Sequence, residues 1–194
     1  MKTAVAFLAL FYITVSQAQS PAQKTEKLCK AAIELTKQHV TYYAAYTPIP
    51  YPNGDVAADK GVCTDVLIRA YRKLGIDLQK EVHEDMVLNF AKYPKDWGAK
   101  QPDKNIDHRR VPNLMTFFTR KGKALPVTQN AGDYKPGDIV TWDLGGGMTH
   151  IGIIINRKNA DNSHYLIVHN IGNGQEISDC LFSFKIIGHY RYLV

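Results

Sequence analysis

The order of hydrophobic periods along the chain predicts an α+β fold, helices first and a mostly antiparallel sheet after them. Two observations carry that expectation. In the first two thirds apolar residues recur at helical spacing, as in Leu28, Ala31, Ala32 and Leu35, and again in Val66, Leu67, Ala70, Tyr71 and Leu74. In the last third the period changes to strand alternation, with Pro136-Gly137-Asp138 and Gly145-Gly146-Gly147 as the turns between runs. At 194 residues and 45% hydrophobic content the chain has material for one core, and no repeat or low-complexity linker marks a second domain.

Residues 1–18 read as a secretory signal. Lys2 supplies the charge, Ala4 to Val15 the apolar stretch, and Ser16-Gln17-Ala18 small residues around a cleavage point. That stretch falls short of the roughly 20 residues a membrane span needs. The expectation is one domain, 19–194, periplasmic or secreted, with no stable membrane insertion once the signal is removed. Lys24 to Val40 then predicts an amphipathic helix. Tyr42 to Asp59, with Pro48, Pro50, Pro52 and Asn53-Gly54, predicts a surface loop. A helix opens at Cys63 and stops at Gly75, a residue suited to the left-handed turn after a helix. Further helices are expected around His83 to Phe90 and from Pro112, which suits a first helical turn. Strands are expected at Asp138–Trp142, His150–Ile155, Tyr165–Asn170 and Ile186–Leu193.

The net charge is +6, or +5 once Lys2 leaves with the signal. The basic residues form short separate clusters, and no zinc-finger, basic-zipper or RNA-binding signature accompanies them, so nucleic acid is not the expected partner. An exported basic protein suits an anionic polymer such as cell wall. Three cysteines cannot all pair within one chain. Cys29 with Cys180 is one arrangement that leaves Cys63 free, and three reduced thiols is the other.

Cys63 stands in the first turn of a helix, where unpaired N–H groups and the dipole favour a thiolate. His150 begins one predicted strand and His169 ends the next, so an antiparallel hairpin through Asn156–His164 makes them neighbours on one face. A histidine is the natural base for a thiol, and a second polar group fixes its tautomer. Cys63, His150 and His169 are therefore the expected nucleophile, base and orienter. Asn170 is an alternative orienter, although adjacent strand residues face opposite sides.

This order of a helix-start cysteine, then Pro-Gly-Asp, His150-Ile151-Gly152-Ile153-Ile154-Ile155 and Val168-His169 resembles the NlpC-type cell-wall peptidases of the papain-like superfamily. The resemblance implies a papain-like fold with the nucleophile at a helix start packed on the sheet, Cys63, His150 and His169 as catalytic triad, and an upstream tyrosine, matched by Tyr51, on the oxyanion side. A closer resemblance is to the bacterial domain of unknown function 1287. Its motifs are matched by residues 61–65, 78–86, 105–114 and 137–142, by Val168 to Gly172 and by Gly188 to Tyr192, nearly the whole mature chain. One departure from the NlpC pattern stands out. Val62-Cys63-Thr64-Asp65 replaces Asp-Cys-Ser-Gly, placing Thr64 and a bulky Asp65 beside the nucleophile.

Other candidates for substrate binding are His83, His108 and Arg109, the arginine because it grips carboxylates with two parallel hydrogen bonds; structural pairing with Asp107 is the plainer role. His83-Glu84-Asp85 lacks the two-histidine spacing of a zinc protease, so no metal is expected. No cofactor is expected either, since thiol and imidazole suffice. The chemistry implied is hydrolysis of amide bonds in peptidoglycan peptides by a cysteine amidase or peptidase. The alternatives are an acyltransferase or thioesterase with the same triad, or a wall-binding module without turnover.

Overall fold

Four α-helices and a six-stranded antiparallel sheet make up the computed structural model, which describes residues 19–194. The expected signal lies outside the described residues. In chain order the elements are α1 Pro21–Leu35, β1 Thr41–Tyr42, β2 Lys60–Gly61, α2 Cys63–Arg72, α3 Leu78–Asn89, α4 Val111–Lys121, β3 Lys123–Ala124, β4 Ile139–Asp143, β5 Thr149–Lys158, β6 Tyr165–His169, β7 Glu176–Ser178 and β8 Lys185–Arg191. The sheet order is β3-β8-β4-β5-β6-β7. Strands β1 and β2 form a separate parallel pair. No helix among the described residues is long and apolar enough to cross a membrane.

Local chemistry accounts for the boundaries. Helix α1 begins before the expected Lys24 because Ser20 and Gln23 form a reciprocal capping box ahead of Pro21. It ends at Leu35, short of Val40. Strands β1, β2 and β3 are only two residues long and β7 three, too short for alternation to announce them.

Both faces of the sheet are covered, which explains the unbroken apolar run of β5. Ile139, Ile151, Ile153, Ile155 and Val168 pack under the helices with Leu28, Leu67, Leu114 and Phe118. Val140, Trp142, Ile154 and Ile167 form a second core on the opposite face with Tyr134, Leu181 and Ile186. Cys29 belongs to the first core and Cys180 to the second, so the sheet separates them. All three cysteines are free thiols, and the Cys29–Cys180 bridge that the cysteine count allowed is not formed.

Three buried polar latches tie distant segments together. Asp138 is fully buried and accepts from His189 Nε2 at 2.9 Å and Arg191 Nε at 2.7 Å, pinning the start of β4 to β8. Gln79 accepts from Gly54 N and donates to the carbonyls of Pro50 and Lys104. Asp65 pairs with Arg109 at 3.0 Å. Buried polar groups of this kind persist in a core only when hydrogen-bonded, and the charged ones only when paired as well.

Candidate active site

Two imidazoles meet at the end of the β5–β6 hairpin. The recorded register pairs Ile153 with Val168 and Ile154 with Ile167. Continuing it sets Gly152 opposite His169, which makes His150 and His169 diagonal neighbours on one face. His150 Nε2 lies 2.8 Å from His169 Nδ1, the rings edge to face at 5.0 Å. Gly152 makes this approach possible: a Cβ there would stand 2.6 Å from Ile167 Cγ2 and 3.1 Å from the Val168 carbonyl. Trp142, paired across the ladder with His150, packs its indole against that ring at 5.7 Å.

Beyond His150 the network continues outward. His169 Nε2 is 3.6 Å from Cys180 Sγ and 3.8 Å from a Glu176 carboxylate oxygen. Both histidines are almost fully buried. Burial pushes His150 down to about 3, with His169 adding to the effect, and it lowers His169 while Glu176 opposes. At neutral pH both rings are uncharged.

Cys63 is the first residue of α2 and 5% exposed. The backbone N–H groups of Cys63, Thr64 and Ile151, the last being the neighbour of His150, act to favour its thiolate. By strand alternation the Ile151 N–H points to the β6 side, where the recorded ladder stops at Val168. Cys63 thus packs on the helix side of the sheet with Ile151 and Ile153, and alternation places the histidines on the other face with Ile154 and Ile167. Among the described residues no hydrogen bond joins the sulfur to either ring.

The resting state of this sulfur differs from that expected of a helix-start cysteine. Burial, followed by the charge of Asp65, raises its pKa to about 12, and the three N–H groups only partly offset this. The thiolate predicted from position alone is therefore corrected to a neutral thiol, because the dipole effect is smaller than the cost of desolvating an anion.

Residues 29–192 match the family described as Domain of unknown function (DUF1287). The chain belongs to the DUF1287 family. It is 52% identical over 153 residues to the uncharacterized protein YijF of Escherichia coli (strain K12), a match covering 79% of this chain and 74% of that protein. In fold the DUF1287 chain is similar to the crystal structure of an N-acetylmuramoyl-L-alanine amidase from Bacteroides uniformis ATCC 8492. The TM-score is 0.52 at 15% identity, over 87% of this chain and 98% of that one. At that identity the likeness is one of fold.

The other sequence candidates separate into neighbours of Cys63 and residues elsewhere. Asp65, which fills the glycine position of the NlpC pattern, caps its own helix. Its Oδ2 accepts from Val62 N at 2.7 Å, and its carboxylate meets Arg109 Nε and Nη2 at 3.0 Å. Arg109 also donates to the Tyr43 carbonyl. Both side chains are buried and used up in holding the backbone before Cys63. The Thr64 N–H favours the Cys63 thiolate, while its buried hydroxyl has no partner among the described residues. Asn170 accepts from Gly172 N and keeps a buried Nδ2 with no partner among the described residues.

Tyr51, His83 and His108 do not gather around Cys63. Tyr51 stacks edge-on against His83 at 5.3 Å, and His83 Nδ1 lies 3.5 Å from Asp107. His108 is buried, and burial with the charges of Arg109 and Arg72 lowers it to about 3. Glu84 pairs with Lys80, and Asp85 with Arg120 and Lys121, so His83, Glu84 and Asp85 turn to separate partners. The tyrosine whose hydroxyl senses the sulfur is Tyr42, pushed up to about 12 by burial and then by Cys63. It reaches there because β1 pairs with β2, setting Tyr42 beside Gly61, two residues before Cys63. A parallel bridge of two residues leaves no periodic signal in the sequence.

Proposed function

We propose that this DUF1287 protein is an exported cysteine amidase or peptidase of papain-like type, cutting amide bonds in peptidoglycan peptides with Cys63, His150 and His169. The observation that carries the reading is the 2.8 Å contact between the two neutral imidazoles, His150 being the neighbour of Ile151, whose N–H favours the Cys63 thiolate. The fold shared with an N-acetylmuramoyl-L-alanine amidase supports the substrate class.

The hydrogen-bond network suggests the tautomers. With a proton on Nε2, His150 donates to His169 Nδ1 and keeps a lone pair on Nδ1 for the thiol proton. His169 then carries its own proton on Nε2, directed at Cys180 and Glu176. Because thiol and imidazole are both neutral at rest, proton transfer accompanies attack instead of preceding it. The contact between sulfur and base closes with substrate bound, as catalytic hydrogen bonds commonly do. The sulfur adds to the amide carbonyl, and the N–H groups of the α2 start, with Tyr42 alongside, stabilise the oxyanion. The C–N bond breaks, His150 returns its proton to the leaving amine, and a thioester remains. Water, deprotonated by His150, releases the acid and restores the thiol.

Mass spectrometry of muropeptides after incubation with wild type and Cys63→Ala tests the reading. Release of fragments by the wild type alone is expected; equal release by the variant rules out Cys63 as nucleophile. A wall-binding module without turnover is the second reading, favoured by the burial and raised pKa of the thiol. It requires cosedimentation with sacculi and no fragments from either protein.

A further inference from the structure

A separate concavity of about 510 Å³, which Cys63 does not line, opens between His83 and the segment 97–110. Lys100, Lys104 and Arg110 on its wall form no ion pair among the described residues, and residues 1–18 contain no acid that would supply one. The acids there are already engaged. Asp103 accepts from Asn105 N and from the Tyr46 hydroxyl, and Asp107 accepts from Asp103 N at 2.6 Å beside His83. The wall therefore presents a surplus of positive charge over a fixed, internally bonded floor.

Arg110 is posed in a particular way. Its guanidinium carbon sits 4.5 Å above the Trp97 ring, which occupies the face of the group and leaves its in-plane N–H edge free for a planar anion. Trp97 is itself 62% exposed and held at a left-handed φ of 59°. A bulky side chain kept in that conformation, with its ring in water, marks a residue placed to meet something. The flanking carboxylates of Asp103 and Asp107 disfavour a multiply charged phosphate and suit a singly charged carboxylate.

We infer that this pocket binds a free carboxylate of an acidic peptide, gripped by Arg110 with Lys100 and Lys104 beside it and covered by Trp97. The assignment rests on the proposed action on wall peptides and names where such a substrate is held. One 3₁₀ turn, Asp107–Arg109, ties the two places together. Its first residue lines the pocket, and its last clamps the helix cap before Cys63.

Calorimetric titration of the full-length Cys63→Ala protein with N-acetylmuramoyl-L-alanyl-D-glutamate, and with the same compound carboxamidated on glutamate, tests the pocket without turnover. The acid is expected to bind about tenfold or more tightly than the amide, as loss of a charge-assisted bond implies. Arg110→Gln should erase that preference with the unfolding midpoint unchanged, and Trp97→Ala should weaken both compounds. Equal binding of acid and amide, no binding of either, or an unaltered preference in Arg110→Gln overturns the assignment. Fragment release that depends on Cys63 while these titrations show no acid preference would remove the pocket and leave the reaction. An acid preference lost in Arg110→Gln, with no Cys63-dependent release, would remove the reaction and leave a carboxylate site.

Discussion

The sheet end around His150 and the pocket around Arg110 manage polar groups in opposite ways. At the sheet end, sulfur and imidazoles are buried and kept neutral, and burial dominates their pKa values. In the pocket, three basic side chains line the wall over acids that are already bonded. The first arrangement suits bond making in a dry site, where a neutral base can take a proton. The second suits recognition, where charge must be present before the ligand arrives. Arg109 and Arg110 show the contrast in adjacent residues: one is buried against Asp65, the other lies on Trp97.

The largest expected effect tests the dry region. His150→Ala should lower the rate of fragment release by about 10²–10⁴, the usual weight of a general base, while leaving peptide binding in the pocket intact. Unchanged turnover would break the distinction. Next in size is Arg109→Ala, which strands the buried Asp65 carboxylate and should cost about 3–5 kcal/mol in stability. Thermal unfolding of Arg110→Ala should remain near wild type, and equal losses for the two arginines would show that Arg110 also holds the fold.

Acid sharpens the comparison further. His108 and His150 have folded pKa values near 3 against an ordinary 6.5, so the unfolded chain takes up protons first. Stability is complete above about pH 6.5 and falls as pH drops toward 3. Asp85, held near 2 mainly by Arg120, adds a loss only below its ordinary 3.8. Denaturant midpoints measured from pH 7 to pH 4 should decline, and His108→Phe should flatten the slope. The smallest effect belongs to the outer end of the histidine network. Glu176→Gln and Cys180→Ala should each lower turnover by about tenfold or less and shift its pH profile, since each acts only through His169; a change in stability with no change in profile would reduce them to packing.

Much of this could be read in the chain before folding. Periodicity placed α2 and the β4–β5–β6 strands within a few residues, and alternation put His150 and His169 on one face. Their shared face was legible because alternation within a local hairpin fixes it, whereas their contact also depends on a register shift between Ile154 and Lys158 that no periodic signal announces. Tyr42 was not, since its place beside Cys63 depends on a two-residue parallel bridge. Nor was the role of Asp65, which looked like a substrate-site departure and serves as a latch to a residue 44 positions away.

The sequence by itself determined the class of fold and the shared face of the two histidines, because these follow from local period and composition. Only the tertiary structure decided the charge state of Cys63, the separation of Cys29 from Cys180, and the division of labour between Arg109 and Arg110. Those depend on desolvation and on partners distant along the chain, and both come into being only when the helices close over the sheet.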